Sequence, residues 1–223
     1  MGSPEPLVAL LMDFMAGRAP RSLASAGESS FQIAVEMILN PPSTRVGELC
    51  LVMDPRKSYG CGRLGFAHII FAPGGVDVAV LLELKCLPLP GLLSGRRRCW
   101  ISKPNHKELG NLSKEISDMT ESELDELQFA YLSGPPERRC TISTTVGKIR
   151  QDALKQVQGY SRALKRGVTI EDTCSGVYDI RVEVLPGDDT LRSFTLVAIG
   201  ARRILWQSGE EVETNFSYRC TAI

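Results

Sequence analysis

Glu83 and Lys85 stand two positions apart at the end of an apolar run, 76–86. Strand side chains alternate with period two, so an acid and a lysine at this spacing share one face. Burying both is costly unless they pair with each other or hold a metal ion. A buried carboxylate binds a hard divalent cation, which polarises a phosphate and activates water. A neighbouring ammonium orients that water or stabilises developing negative charge. The same two residues also make an ordinary ion pair at a strand end, and the sequence leaves both readings open. The preceding apolar run, 64–72, carries His68. A lone histidine there is either a hydrogen-bonded core residue or a ligand. Imidazole is a poor ligand for Mg²⁺ and a good one for Mn²⁺, Zn²⁺ or Ni²⁺.

These residues need elements to hold them. The runs 64–72 and 76–86 read as an antiparallel hairpin around Pro73-Gly74-Gly75, apolar on both faces as central strands are. Before it, 45–53 reads as a first strand and 54–62 as a basic, turn-rich loop. Two helices come earlier: 6–16, and 31–39 with Glu28-Ser29-Ser30 as its cap and Pro41-Pro42 as its stop. The segment 87–107 reads as irregular, with three prolines. A polar helix is expected over 112–132, with Thr120 and Glu123 as a capping box. The clearest helix spans 144–166. Ile149, Ala153, Gln156, Tyr160 and Ala163 follow steps of three and four, and Gly167 closes it. Gln156 thus lies on the apolar stripe. Strand-like runs at 176–185, 193–199 and 203–206 end the chain. This order argues for an α/β fold, a central mixed sheet flanked by helices in an α/β/α core.

Bulk properties restrict the function. The 223 residues suffice for one sizeable domain, with or without an elaborate insertion. Twenty-six basic residues balance 26 acidic ones, so any nucleic-acid contact must come from a local patch. Arg96, Arg97 and Arg98 are such a run, read either as solvated charge or as phosphate contacts. No apolar stretch reaches the roughly 20 residues of a membrane span. The apolar stretch 7–15 has no basic residues before it and reads as a helix rather than a signal peptide. The seven cysteines are odd in number and lack C-x-x-C spacing. They argue against structural zinc and against a disulfide framework, and for a reducing intracellular compartment, nuclear or cytoplasmic.

Taken in order, four features resemble PD-(D/E)XK nuclease-like domains, most of all the subgroup found in AAA-ATPase-like and related fungal proteins. Glu28-Ser29-Ser30-Phe31-Gln32 is similar to the opening helix, where Glu28 or Glu36 would be an extra acid. Gly60-Cys61-Gly62-Arg63 followed by His68-Ile69-Ile70 is similar to the glycine-arginine strand. Glu83-Leu84-Lys85 matches the acid and lysine. Gln156 and Tyr160 match a Gln-x-x-x-Tyr helix. The resemblance covers roughly residues 28–206.

It implies a metal-dependent nuclease, with Mg²⁺ or Mn²⁺ held by Glu83, the Leu84 carbonyl and a further acid, Glu48 being one candidate. Lys85 would be the catalytic lysine and Gln156 a supporting residue. Arg63, Tyr160 and the arginines 96–98 would contact nucleic acid, DNA rather than RNA. A homodimer is left open. The chain departs from the family where an aspartate is expected, because His68 stands there. An alternative alignment puts Gly65 at that place. The metal position is therefore retuned, rescued by another acid such as Glu48 or Glu36, or lost. If it is lost, the chain would be a degenerate module that binds nucleic acid or a protein partner. The corresponding division is an N-terminal helix and connection (1–27), the nuclease-like domain (28–207) with an insertion (87–140), and a tail (208–223).

Overall fold

The computed structural model describes residues 3–18, 27–39, 44–73, 78–101, 104–135, 138–169, 173–200 and 202–221. The expected turn residues Gly74 and Gly75 lie outside these. The elements in chain order are α1 (Glu5–Ala16), α2 (Glu28–Ile38), β1 (Arg45–Val52), β2 (Leu64–Phe71), β3 (Val78–Leu87), α3 (Leu89–Arg97), α4 (His106–Asp118) and α5 (Glu121–Glu126). They continue with β4 (Gln128–Ser133), β5 (Cys140–Thr145), α6 (Val146–Leu164), β6 (Gly176–Val177), β7 (Val182–Pro186), β8 (Thr190–Ile199), β9 (Arg203–Ser208), β10 (Val212–Glu213) and β11 (Phe216–Cys220). Among the described residues the result is the expected α/β fold, a mixed seven-stranded sheet flanked by helices. Its order is β10-β8-β3-β2-β1-β6, with β9 also on β8. The antiparallel succession β1, β2, β3 places Ile69 opposite both Gly47 and Leu82.

The chain divides into two compact units. One comprises Met1–Ile38, Leu84–Asp152 and Leu196–Trp206; the other comprises Leu39–Glu83, Ala153–Thr195 and Gln207–Ile223. Each has its own core. In the first, Leu89, Leu92, Leu112, Ile116, Leu124, Phe129 and Ile199 are buried together. In the second, Leu49, Leu51, Ala67, Val157, Tyr160 and Leu164 are. The segment expected to be a tail carries β10, paired with β8, and β11, paired with β7.

Several elements differ from the sequence reading. Leu89–Arg97, inside the stretch read as irregular, is helical. Its Pro88 and Pro90 fit the cap and first turn, where no N–H is needed. Its glycines serve close packing: a Cβ on Gly95 would lie 2.2 Å from the Gln128 carbonyl oxygen, and one on Gly91 2.3 Å from the Phe129 ring. The expected helix 112–132 is instead α4, α5 and β4. The Thr120–Glu123 capping box is present, and it starts a new short helix. A strand at Cys140–Thr145 was not foreseen. The second helix starts at Glu28 itself, so Ser29 and Ser30 lie in its first turn.

Candidate functional site

β2 and β3 bring His68 and Glu83 together. One step beyond the pair Ile69–Leu82 in the register, His68 Nδ1 lies 2.9 Å from Glu83 Oε2. The carboxylate is fully buried (0 %) and the imidazole nearly so (13 %). A carboxylate that water does not reach needs such a donor. Across β1 from His68, between the pairs Gly47–Ile69 and Leu49–Ala67, stands Glu48. Its φ of 52° is left-handed, and its side chain is exposed. The Arg181 guanidinium donates to the Glu48 carbonyl, 3.2 Å. Among the described residues no three His, Cys, Asp or Glu side chains gather as a metal-binding group. Glu48 therefore does not join His68 and Glu83.

In the other unit, Lys85 Nζ lies 3.5 Å from Glu28 Oε1, both partly exposed. Glu28 opens α2, where the helix dipole favours an acid. Glu36, the other acid considered there, accepts from Gln32 Nε2 at 2.9 Å. Next to Lys85, burial pushes the Cys86 thiol up to about 12, and the charge of Glu28 adds to the effect.

Most of the remaining expected residues are engaged within the protein. Gln156 Nε2 donates to the Tyr160 hydroxyl, 2.6 Å. Tyr160 is 6 % exposed and belongs to the core, so its ring offers no open face to a nucleic acid. The chain makes room for it with Gly65: a Cβ there would sit 2.7 Å from the Tyr160 ring. Arg63 Nη1 donates to the Pro55 and Lys57 carbonyls, 2.6 and 3.4 Å, and its guanidinium lies over Tyr59. It staples the loop 54–62. Arg96 makes a two-pronged pair with Glu115, both distances 2.8 Å, and Arg97 pairs with Glu108. Arg98 ends α3 in a left-handed conformation and is exposed. Two of the three arginines thus already have acidic partners.

The sequence reading passed over Arg162, Arg166 and Ser175, which line a cavity of about 250 Å³ with Met53, Gly159 and Ala163. The available signal was a pair of arginines four residues apart at the end of a helix, preceded by a glycine.

Comparison with protein-family models, with curated proteins and with solved structures finds no match in any of the three. Among the described residues no helix is long and apolar enough to cross a membrane.

Proposed function

We propose that this chain is a PD-(D/E)XK-like module that acts on nucleic acid, DNA before RNA, by metal-dependent phosphodiester hydrolysis. The observation that carries this reading is the pairing of His68 and Glu83 across β2 and β3, with Lys85 two residues further along β3. Two donors in adjacent positions of an octahedral ion, each about 2.1 Å from it, lie about 3.0 Å apart. The 2.9 Å between His68 Nδ1 and Glu83 Oε2 fits that spacing. An imidazole beside a carboxylate suits Mn²⁺ better than Mg²⁺. Such an ion would supply Lewis-acid polarisation of the phosphate and a more acidic bound water. His68 and Glu83 would hold it, with the Leu84 carbonyl and water as further ligands. Lys85 would orient the attacking water, and Gln156 would support the site from α6.

A second reading has its own observation. Glu83 already accepts from His68, and Lys85 is already paired with Glu28. Neither arrangement requires an ion. In that case the chain is a binding module without hydrolysis. The test is cleavage of plasmid and single-stranded DNA with Mn²⁺ and Mg²⁺ in parallel, using Lys85→Ala as the control. Mn²⁺-dependent cleavage that is lost in the variant supports the nuclease. Salt-sensitive DNA binding without cleavage supports the binding module, and no DNA binding at low salt points to a protein partner.

A further inference from the structure

The cavity between the end of α6 and Met53 has a chemistry that the site above does not use. Among the described residues its lining, Met53, Gly159, Arg162, Ala163, Arg166 and Ser175, holds two guanidinium groups and no acid. Arg162 lies in the last turn of α6 and Arg166 in the turn that follows it, and both line the same cavity. Gly159, three residues before Arg162, leaves the wall open: a Cβ there would only reach ordinary contact with Met53 Cε at 3.5 Å.

The arginines are held rather than loose. Arg166 Nη1 donates to Ser175 Oγ, 3.2 Å, and that buried hydroxyl donates to the Met53 carbonyl, 3.0 Å. Arg162 Nε donates to the Gln158 carbonyl, 3.2 Å. The helix dipole accounts for basic residues at this end. It does not account for a cavity between them, and its roughly half negative charge offsets only part of two full positive ones. Met53 also starts the basic loop: its N–H donates to the Arg63 carbonyl, 2.8 Å. Lys57 and Tyr59 of that loop are exposed.

We infer that this cavity binds a phosphate group, with Arg162 and Arg166 as its two charged donors and Ser175 as the residue that positions Arg166. The assignment to a backbone phosphate of a nucleic-acid strand rests on the proposed function; the phosphate chemistry does not. Planar guanidinium forks suit phosphate oxygens.

The test compares wild type, Arg162→Gln/Arg166→Gln, Gly159→Leu and the control Arg192→Gln. Binding of inorganic phosphate and pyrophosphate is read by calorimetry, and binding of a labelled single-stranded oligonucleotide by anisotropy in EDTA. Unchanged melting midpoints show that each variant is folded. The arginine variant should bind about tenfold or more weakly, with a salt slope shallower by about 0.7 for each phosphate that is no longer neutralised. Gly159→Leu, which fills the cavity without changing charge, should also weaken binding, and Arg192→Gln should not. Phosphate binding that vanishes in the variants, with no oligonucleotide binding by any protein, keeps the phosphate site and removes the nucleic-acid reading. Oligonucleotide binding equal in all four proteins, with no heat from phosphate, overturns the site and leaves that reading standing. Weaker binding in the arginine variant but not in Gly159→Leu also overturns it, because diffuse charge then explains the effect.

Discussion

Nδ1 of His68 lies 2.9 Å from Oε2 of Glu83, and the carboxylate is wholly buried. Removing one partner of a buried pair leaves the other in a medium that stabilises charge poorly, at a cost of about 3–5 kcal/mol. His68→Ala should therefore lower stability by a few kcal/mol in urea denaturation. His68→Asp is more telling. It sets two carboxylates against each other and should be destabilised without metal, then regain several degrees in melting midpoint with millimolar Mn²⁺ or Mg²⁺. Wild type should respond to Mn²⁺ and hardly to Mg²⁺. A His68→Asp protein as stable as wild type and indifferent to both ions would remove the metal reading.

Lys85 and Glu28 behave differently. Their 3.5 Å contact is partly exposed on both sides, and such pairs contribute about 0–1 kcal/mol. Lys85→Ala should leave the melting midpoint within a few degrees of wild type while abolishing Mn²⁺-dependent cleavage. The corresponding measurement is cleavage rate beside thermal unfolding on the same preparation. Undiminished cleavage by a folded variant would dismiss Lys85 from the chemistry.

Cys86 gives a pH dependence. Burial raises its thiol from an ordinary value near 9 to about 12. Below pH 9 both folded and unfolded chains keep the proton, and the contribution to stability is intact. Between about 9 and 12 only the unfolded chain releases it, so stability falls with rising pH, by up to about 4 kcal/mol. Tyr218, also pushed up to about 12 by burial, adds an alkaline loss of its own. Replacing Cys86 with alanine should therefore flatten the stability curve above pH 9 without making it level. An unaltered slope in Cys86→Ala would show that the thiol is not shielded in solution.

The parts of the fold that were legible in the sequence are those where one signal dominates. The β2–β3 hairpin announced itself by two apolar runs, and α6 by apolar residues at steps of three and four with a positive-φ glycine at its end. The segment Leu89–Arg97 was opaque because Pro and Gly carry two meanings. Here the prolines start a helix, and Gly91 and Gly95 let β4 lie against it, a requirement set by a distant strand. The acidic stretch around Thr120 has helical spacing that continues past the capping box, so nothing local marks the change to β4. Of the site, Glu83, Lys85 and His68 were visible as chemistry misplaced in apolar strands. Their partners were less so: Glu28 was named as an acid but not as the partner of Lys85. Tyr160 stood on the apolar stripe of its helix while the resemblance gave it a nucleic-acid contact, and nothing local announced the Gly65 niche that takes its ring. The arginines of α3 looked free because Glu108 and Glu115, which pair with them, lie on the next helix.

Glu48 supplies the last prediction. It was read as a metal ligand from its place on the strand beside His68, yet its backbone sits at φ 52° and its side chain is exposed. A non-glycine residue in the left-handed region costs about 1 kcal/mol or more. The conformation is held by Arg181, which donates to the Glu48 carbonyl while Asp179 clamps its guanidinium at 2.6 and 2.9 Å. Glycine adopts this conformation without a Cβ clash. Glu48→Gly should therefore raise stability by about 0.5–1 kcal/mol in urea denaturation, and Glu48→Val should lower it by more than that. If the side chain were instead a ligand, Glu48→Gly would weaken the Mn²⁺-dependent rise in melting midpoint. The structure predicts that this rise is unchanged, and that the stability gain is seen with and without metal.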